Sequence, residues 1–220
     1  MNLDEMKTSY FLFDPKLFGR IFAFVDFGNV RPWAKDLWPE ENKFRFSTEI
    51  DIAKIKEVCS WVNTKQNFFY YGYFGRDEKL SEEEKDVRHD NSVFRIDKAR
   101  KNGFKVITKE TKMIPQYDEN GKFVGKFPKC NFDVEITMDI ITKISEYDTI
   151  MLFSGDSDFG GLLKYVKSLG KNIVVICTRN RMSTELEEVA NKFIPAETLA
   201  PFLKYERKNN TPPHLRATEV

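Results

Sequence analysis

The stretch Asp148-Thr-Ile-Met-Leu-Phe-Ser154-Gly155-Asp156-Ser157-Asp158 decides how this chain folds. Its apolar part is short and unbroken, as expected of a strand buried on both faces of a parallel sheet. Its end sets the carboxylates of Asp156 and Asp158 two residues apart, between that strand and a helical pattern. Carboxylates this close repel one another unless a cation or a proton compensates them. An earlier run of the same kind, Ile21-Phe-Ala-Phe-Val-Asp26, also ends on an acid. Acids at two strand ends point to a site for divalent metal.

The surrounding composition narrows the chemistry. The chain has 220 residues, is 41% hydrophobic and 14% aromatic, and so has material for one core of ordinary size. Charged residues make up 31% of it, yet the net charge is only +1, so any nucleic-acid surface has to come from local clustering. Three widely spaced cysteines without a CxxC pair argue against a disulfide framework or structural zinc and for a reducing compartment. With only two histidines, His89 and His214, carboxylates are the better supplied tool for chemistry. No run approaches the roughly 20 apolar residues of a membrane span, and Met-Asn-Leu-Asp-Glu-Met-Lys lacks a secretory apolar region. The expectation is a cytoplasmic protein with no membrane partner.

Outward from the two acidic strands, the chain reads as alternating strands and helices. Residues 1–19 read as an irregular aromatic arm packed on the domain, and 31–46, with its tryptophans and prolines, as a loop insertion. Ile52, Ile55, Val58, Cys59 and Val62 keep helical spacing after Ser47 or Thr48. Residues 67–75 and 104–108 read as further strands. Ser81-Glu-Glu-Glu84 has capping-box spacing, and a separate helix is expected from near Ser92 to Asn102, ended by Gly103. Asn120-Gly121 marks a hairpin over 113–127. Residues 132–144 fit both alternation and helical spacing; the crossover that an α/β order requires favours a helix. Strands follow at 148–153 and 172–177, with helices at 159–169 and 183–193 and a polar tail from 204 to 220. The fold class is therefore α/β, a three-layer α/β/α, Rossmann-like arrangement. Its sheet is mainly parallel and five-stranded, carries the hairpin as an insertion, and fills residues 20–203. In such sheets ligands gather at the carboxyl ends of strands, near the switch point.

Singly, the acids have ordinary explanations. Asp26 suits a turn or a helix cap, Asn29 turn chemistry, Asp158 a cap for a helix at Phe159, and Asp133 the start of a helix. Together they make a dense negative cluster suited to Mg²⁺ or Mn²⁺, which prefer carboxylate and water oxygens. A bound ion of this kind acidifies water and neutralises charge on a phosphate, so a phosphodiester substrate matches.

Three segments in order, Phe24-Val-Asp26-Phe-Gly-Asn29, Lys129-Cys-Asn-Phe-Asp133-Val-Glu-Ile-Thr-Met-Asp139 and Ser154-Gly-Asp-Ser-Asp-Phe159, resemble the NYN family of PIN-like nucleases over roughly residues 20 to 203. The resemblance implies a PIN-like fold, a helix at 132–144 and a metal-dependent ribonuclease, with Mg²⁺ or Mn²⁺ held by Asp26, Asp133, Asp156 and Asp158. It implies supporting roles for Asn29, Ser154 and Asp139, the last facing away on its helix. The substrate is then single-stranded RNA or a structured RNA loop, cut by a metal-activated water. Lys98, Arg100, Lys101, Lys105, Lys109 and Lys112 form a basic cluster, and Arg179 and Arg181 follow a strand end; of these Arg179, Arg181, Lys101 and Lys105 are the substrate-binding candidates. Trp33, Trp38, Tyr71, Tyr73 and Phe74 are candidates for base stacking, weighed against core packing. The insertions at 31–46 and around Asn120-Gly121 would shape the substrate path or join copies into a homo-oligomer. Two other functions share the scaffold: a non-catalytic RNA- or protein-binding module, and a nucleotide phosphatase.

Overall fold

Six short stretches, most of them largely apolar, are drawn into one sheet, seen in a computed structural model that describes residues 2–43, 48–75 and 82–205, with the side chains of 82–86 excepted. The strands of this sheet are β1 (Ile21–Asp26), β2 (Gln66–Tyr70), β3 (Lys105–Ile107), β4 (Thr149–Phe153), β5 (Asn172–Cys177) and β6 (Lys192–Pro195). Every neighbouring pair is parallel, in the order β3-β2-β1-β4-β5-β6. All of β1 and β4 is buried, which requires cover on both faces and explains why neither strand alternates. The order reverses between β1 and β4, so the switch-point crevice opens where Asp26 and Ser154-Gly155-Asp156 leave the sheet.

The sheet has six strands where five were expected. The sixth was hidden in the helix expected at 183–193, which runs only over Thr184–Val189. Ser183 caps that helix as anticipated, its Oγ accepting from the Leu186 N–H at 3.4 Å. Asn191 then stops it: its N–H donates to the Ile173 carbonyl at 2.8 Å and its Oδ1 accepts from the Ile173 N–H at 2.9 Å. That double clip onto the start of β5 pulls Lys192–Pro195 into the sheet edge.

Other boundaries also moved for local reasons. The helix Ile52–Trp61 is capped by Asp51, whose Oδ1 accepts the Ala53 N–H at 2.8 Å, and not by Thr48; Ser47 lies outside the described residues. A single helix spans Glu82–Lys101 instead of two, with Ser92 inside it. Ser92 Oγ is spent on the His89 carbonyl at 2.7 Å and the Phe74 N–H at 3.1 Å, so it caps nothing. The capping box proposed at Ser81 and the tail beyond Tyr205, with His214, lie outside the described residues. Residues 132–144 resolve as the helix Asp133–Thr142. The N-terminal arm packs on the domain but is not irregular: Leu3–Tyr10 is helical, closed by a capping box between Asn2 and Glu5, and Met6, Phe11 and Phe18 are buried. In the 31–46 insertion, Trp33–Leu37 is a short helix. The hairpin pairs Lys112–Tyr117 with Phe123–Lys129 in a separate two-stranded sheet. Among the described residues no helix is long and apolar enough to cross a membrane.

Candidate metal centre

The site is assembled from three pieces of backbone. Asp26 ends β1, is 8% exposed, and accepts the Asn29 N–H on Oδ1 at 3.3 Å. Asp156 follows β4 and caps the tight turn Ser157–Phe159, its Oδ1 accepting from the Asp158 N–H at 3.1 Å. Asp158 lies within that turn and is exposed; Asp156 takes the capping role that sequence had offered to Asp158. Asp133 opens the helix Asp133–Thr142 and is held by Asn131, which accepts the Asp133 N–H at 2.7 Å and donates back to Asp133 Oδ2. A carboxylate in that first turn is favoured by the unpaired N–H groups of the helix.

Supporting residues knit these pieces together. The Asn29 side chain crosses from β1 to β4, its Oδ1 accepting the Gly155 N–H at 3.5 Å. Ser154 is fully buried and its Oγ accepts the Asp156 N–H at 3.4 Å. Gly155 allows the turn to press against the loop after β5. A Cβ there would lie 2.2 Å from the Arg181 carbonyl oxygen, a separation no side chain can occupy.

The electrostatics show that the acids share one place. Burial pushes the Asp26 carboxyl up from its ordinary 3.8 to about 7, and the charges of Asp133 and Asp156 add to the rise against the Asn29 N–H. Asp133 is raised as well, first by burial, with Asp156 and Asp158 pushing in the same direction and Asn131 and Lys109 opposing. Asp133 and Asp156 thus act on Asp26, and Asp156 and Asp158 act on Asp133. A cation would relieve this repulsion, and the donors are hard oxygens of the kind Mg²⁺ and Mn²⁺ accept. As the side chains stand, no three His, Cys, Asp or Glu groups among the described residues close on a common ligand point. Asp26 and Asp156 spend an oxygen each on backbone N–H groups, leaving the set suited to an ion that keeps part of its water shell.

The remaining candidates are placed differently. Asp139 accepts from Tyr70 Oη at 2.8 Å and pairs with Lys143, so both its oxygens are engaged. Arg181 and Arg179 do lie at the carboxyl end of β5, but Arg181 is clamped onto Asp36, which also takes Thr178 Oγ1 and Asn180 Nδ2 at 3.1 Å each. Burial opposes the charge on Asp36; Arg181 and Asn180 outweigh it and hold the carboxyl below its usual range. Arg179 is exposed, with its guanidinium 6.0 Å from the Phe193 ring. Lys105 is a correction: its Nζ bonds Gln66 Oε1 at 2.6 Å, at the start of β2, level with Phe22 and roughly 13 Å short of Asp26 at the usual strand rise. Lys101 ends the helix before β3 and shares that distant end. The aromatic candidates Trp33 and Tyr71 are buried, which leaves them no face for bases, and Trp38 is partly buried against the core.

Two residues gain a place at the site only in three dimensions. Lys109, two positions past β3, pairs with Glu135 at 2.7 Å and lies 4.7 Å from the Phe132 ring, close enough to Asp133 to pull its carboxyl down. Its place after a parallel strand was the available signal, masked by the run of other lysines. Asp36 had no signal, since its partners follow it by more than 140 residues.

The NYN domain family model matches residues 20–199. The low amplitude and bright protein LabA of Synechococcus elongatus is 28% identical over 97 residues, 44% of this chain and 52% of that protein, so the match spans about half the length of this relative. The crystal structure of a Vibrio parahaemolyticus protein of unknown function, VPA0982, superimposes with a TM-score of 0.56 at 21% identity, covering 83% of this chain and 96% of that one, a likeness of fold.

Proposed function

The chain belongs to the NYN domain family, whose members are generally ribonucleases, and from that premise we propose that it is a metal-dependent ribonuclease acting on single-stranded or loop RNA. The observation that carries the reading is the placement of Asp26 and Asp156 at the switch point of the sheet, with Asp133 close enough to feel the charges of Asp156 and Asp158. NYN and PIN-like nucleases typically use divalent metals, and these four carboxylates would hold Mg²⁺ or Mn²⁺. Such an ion, when bound, neutralises charge on a phosphodiester and lowers the pKa of water beside it.

The chain's own groups do the rest. Asn29 fixes the β1 end against the Gly155 N–H, so the acids from β1 and β4 keep their spacing. Asn131 fixes Asp133. Lys109 brings a positive charge beside Asp133, where a substrate phosphate would arrive. Asp139 acts through Tyr70 and Lys143 as a support for its helix.

The test is cleavage of a labelled single-stranded RNA with Mn²⁺ or Mg²⁺, beside EDTA and beside Asp156→Asn. Loss of cleavage in both controls, with the variant folded, is the expected result. Equal activity in Asp156→Asn removes the acidic cluster from the reaction. Binding without cleavage would favour the non-catalytic module, and cleavage of mononucleotides alone would favour a phosphatase.

A further inference from the structure

The hairpin Lys112–Tyr117 and Phe123–Lys129 stands apart from the central sheet and keeps its apolar side chains in water. Ile114, Tyr117, Phe123, Val124 and Phe127 are 43% to 58% exposed. A lone two-stranded hairpin gains little from burial, so this much exposed apolar surface on one marks a contact surface. We propose that it is the arm along which the single-stranded RNA substrate lies, with unpaired bases on its aromatic rings and phosphates on its lysines. The proposal rests on the ribonuclease reading for its choice of ligand.

Three observations select RNA as the occupant. First, the register interleaves rings and cations. Lys112 lies opposite Lys129 and, on the same face, Ile114 lies opposite Phe127. Nearer the tip Tyr117 and Phe123 meet edge to face with centroids 5.9 Å apart, and Lys126 lies across from Pro115. Stacking platforms beside cations are what unpaired nucleic acid requires. Second, the arm is continuous with the candidate metal centre. Its first strand leaves from the carboxyl end of β3, where the Thr111 N–H bonds the Tyr73 carbonyl at 2.8 Å, and its second ends at Lys129, just ahead of Asn131 and Asp133. A strand lying on the arm is thereby led toward Lys109 and the acids. Third, the edges resist a protein partner. Each strand carries a proline, Pro115 or Pro128, which has no N–H to offer an added strand, and lysines flank both.

Anisotropy of a labelled single-stranded RNA, measured in EDTA so that nothing is cut, tests the arm apart from the chemistry. Tyr117→Ser/Phe123→Ser is expected to weaken binding by about tenfold or more. Lys126→Gln/Lys129→Gln is expected to flatten the salt dependence, lowering the log–log slope by about 1.4, at ~0.7 for each phosphate no longer neutralised. Hydrolysis of bis(p-nitrophenyl) phosphate with Mn²⁺, an ester too small to span site and arm, is expected to be retained by both variants. RNA affinity unchanged in both variants overturns the proposal. So does a wild-type dimer, seen by sedimentation, that the aromatic variant splits while its RNA affinity stays intact; the hairpin would then join two copies. Wild type that binds RNA through the hairpin yet cuts neither ester nor RNA upholds the arm and counts against the ribonuclease reading instead.

Discussion

Asp26 is the residue whose energetics say most about the site. Its carboxyl titrates near 7 in the fold and near 3.8 when unfolded, so between those values the native state holds a proton that the unfolded chain has lost. The stability it contributes is therefore fully present below 3.8 and is lost as pH rises through about 7. In metal-free protein, Asp26→Asn is expected to be more stable than wild type at pH 8, by up to a few kcal/mol at ~1.4 kcal/mol per pKa unit, and no more stable at acid pH. Urea unfolding at several pH values checks this, while RNA cleavage by the same variant should fall by orders of magnitude. Gly155 gives the opposite case. An added methyl meets the Arg181 carbonyl, so Gly155→Ala should cost about 1–3 kcal/mol in thermal unfolding and misplace Asp156.

At the scale of elements, the 31–46 insertion is more than a loop. Its helix Trp33–Leu37 sinks Trp33 into the core and sends Asp36 to the loop after β5. That clamp fixes Arg181, whose backbone in turn rests on Gly155 beside the acidic turn. Asp36→Ala leaves Arg181 and the buried Thr178 without this partner and is expected to cost about 1–3 kcal/mol. Because the clamp lies outside the acidic set, cleavage at saturating metal should fall far less in this variant than in Asp156→Asn. Paired unfolding and cleavage assays separate the two effects; equal losses of cleavage would place Asp36 in the chemistry. The helix boundaries were legible only in part. Ser183 announced its helix through a cap, yet Asn191 ended it by bonding Ile173, a residue close in space and eighteen positions earlier in the chain.

For the whole molecule, the acids concentrate at the one crevice where the strand order reverses. Metal binding should therefore act on global stability. Titration of the wild type with Mn²⁺ is expected to raise its melting temperature, by the equivalent of ~2.7 kcal/mol at a hundredfold excess over Kd. Asp156→Asn should show little of that rise. An equal rise in both proteins would place the ion elsewhere.

The sequence by itself determined the α/β order, the central strands and the four acids. The strands are written locally as unbroken apolar runs, Asp26 and Asp156 as carboxylates at or just past the ends of two of them, and Asp133 as the acid that opens a helix. It also carried the family resemblance, because the three acidic segments keep their order along the chain. The tertiary structure decided what depends on distance through space. It set the sixth strand by the Asn191 clip, gave Asp36 the Arg181 charge, sent Lys105 to the far end of the sheet, and brought Lys109 beside Asp133. Residue type shows that a lysine or an aspartate is charged; only the register of a parallel sheet shows which end of the molecule it serves.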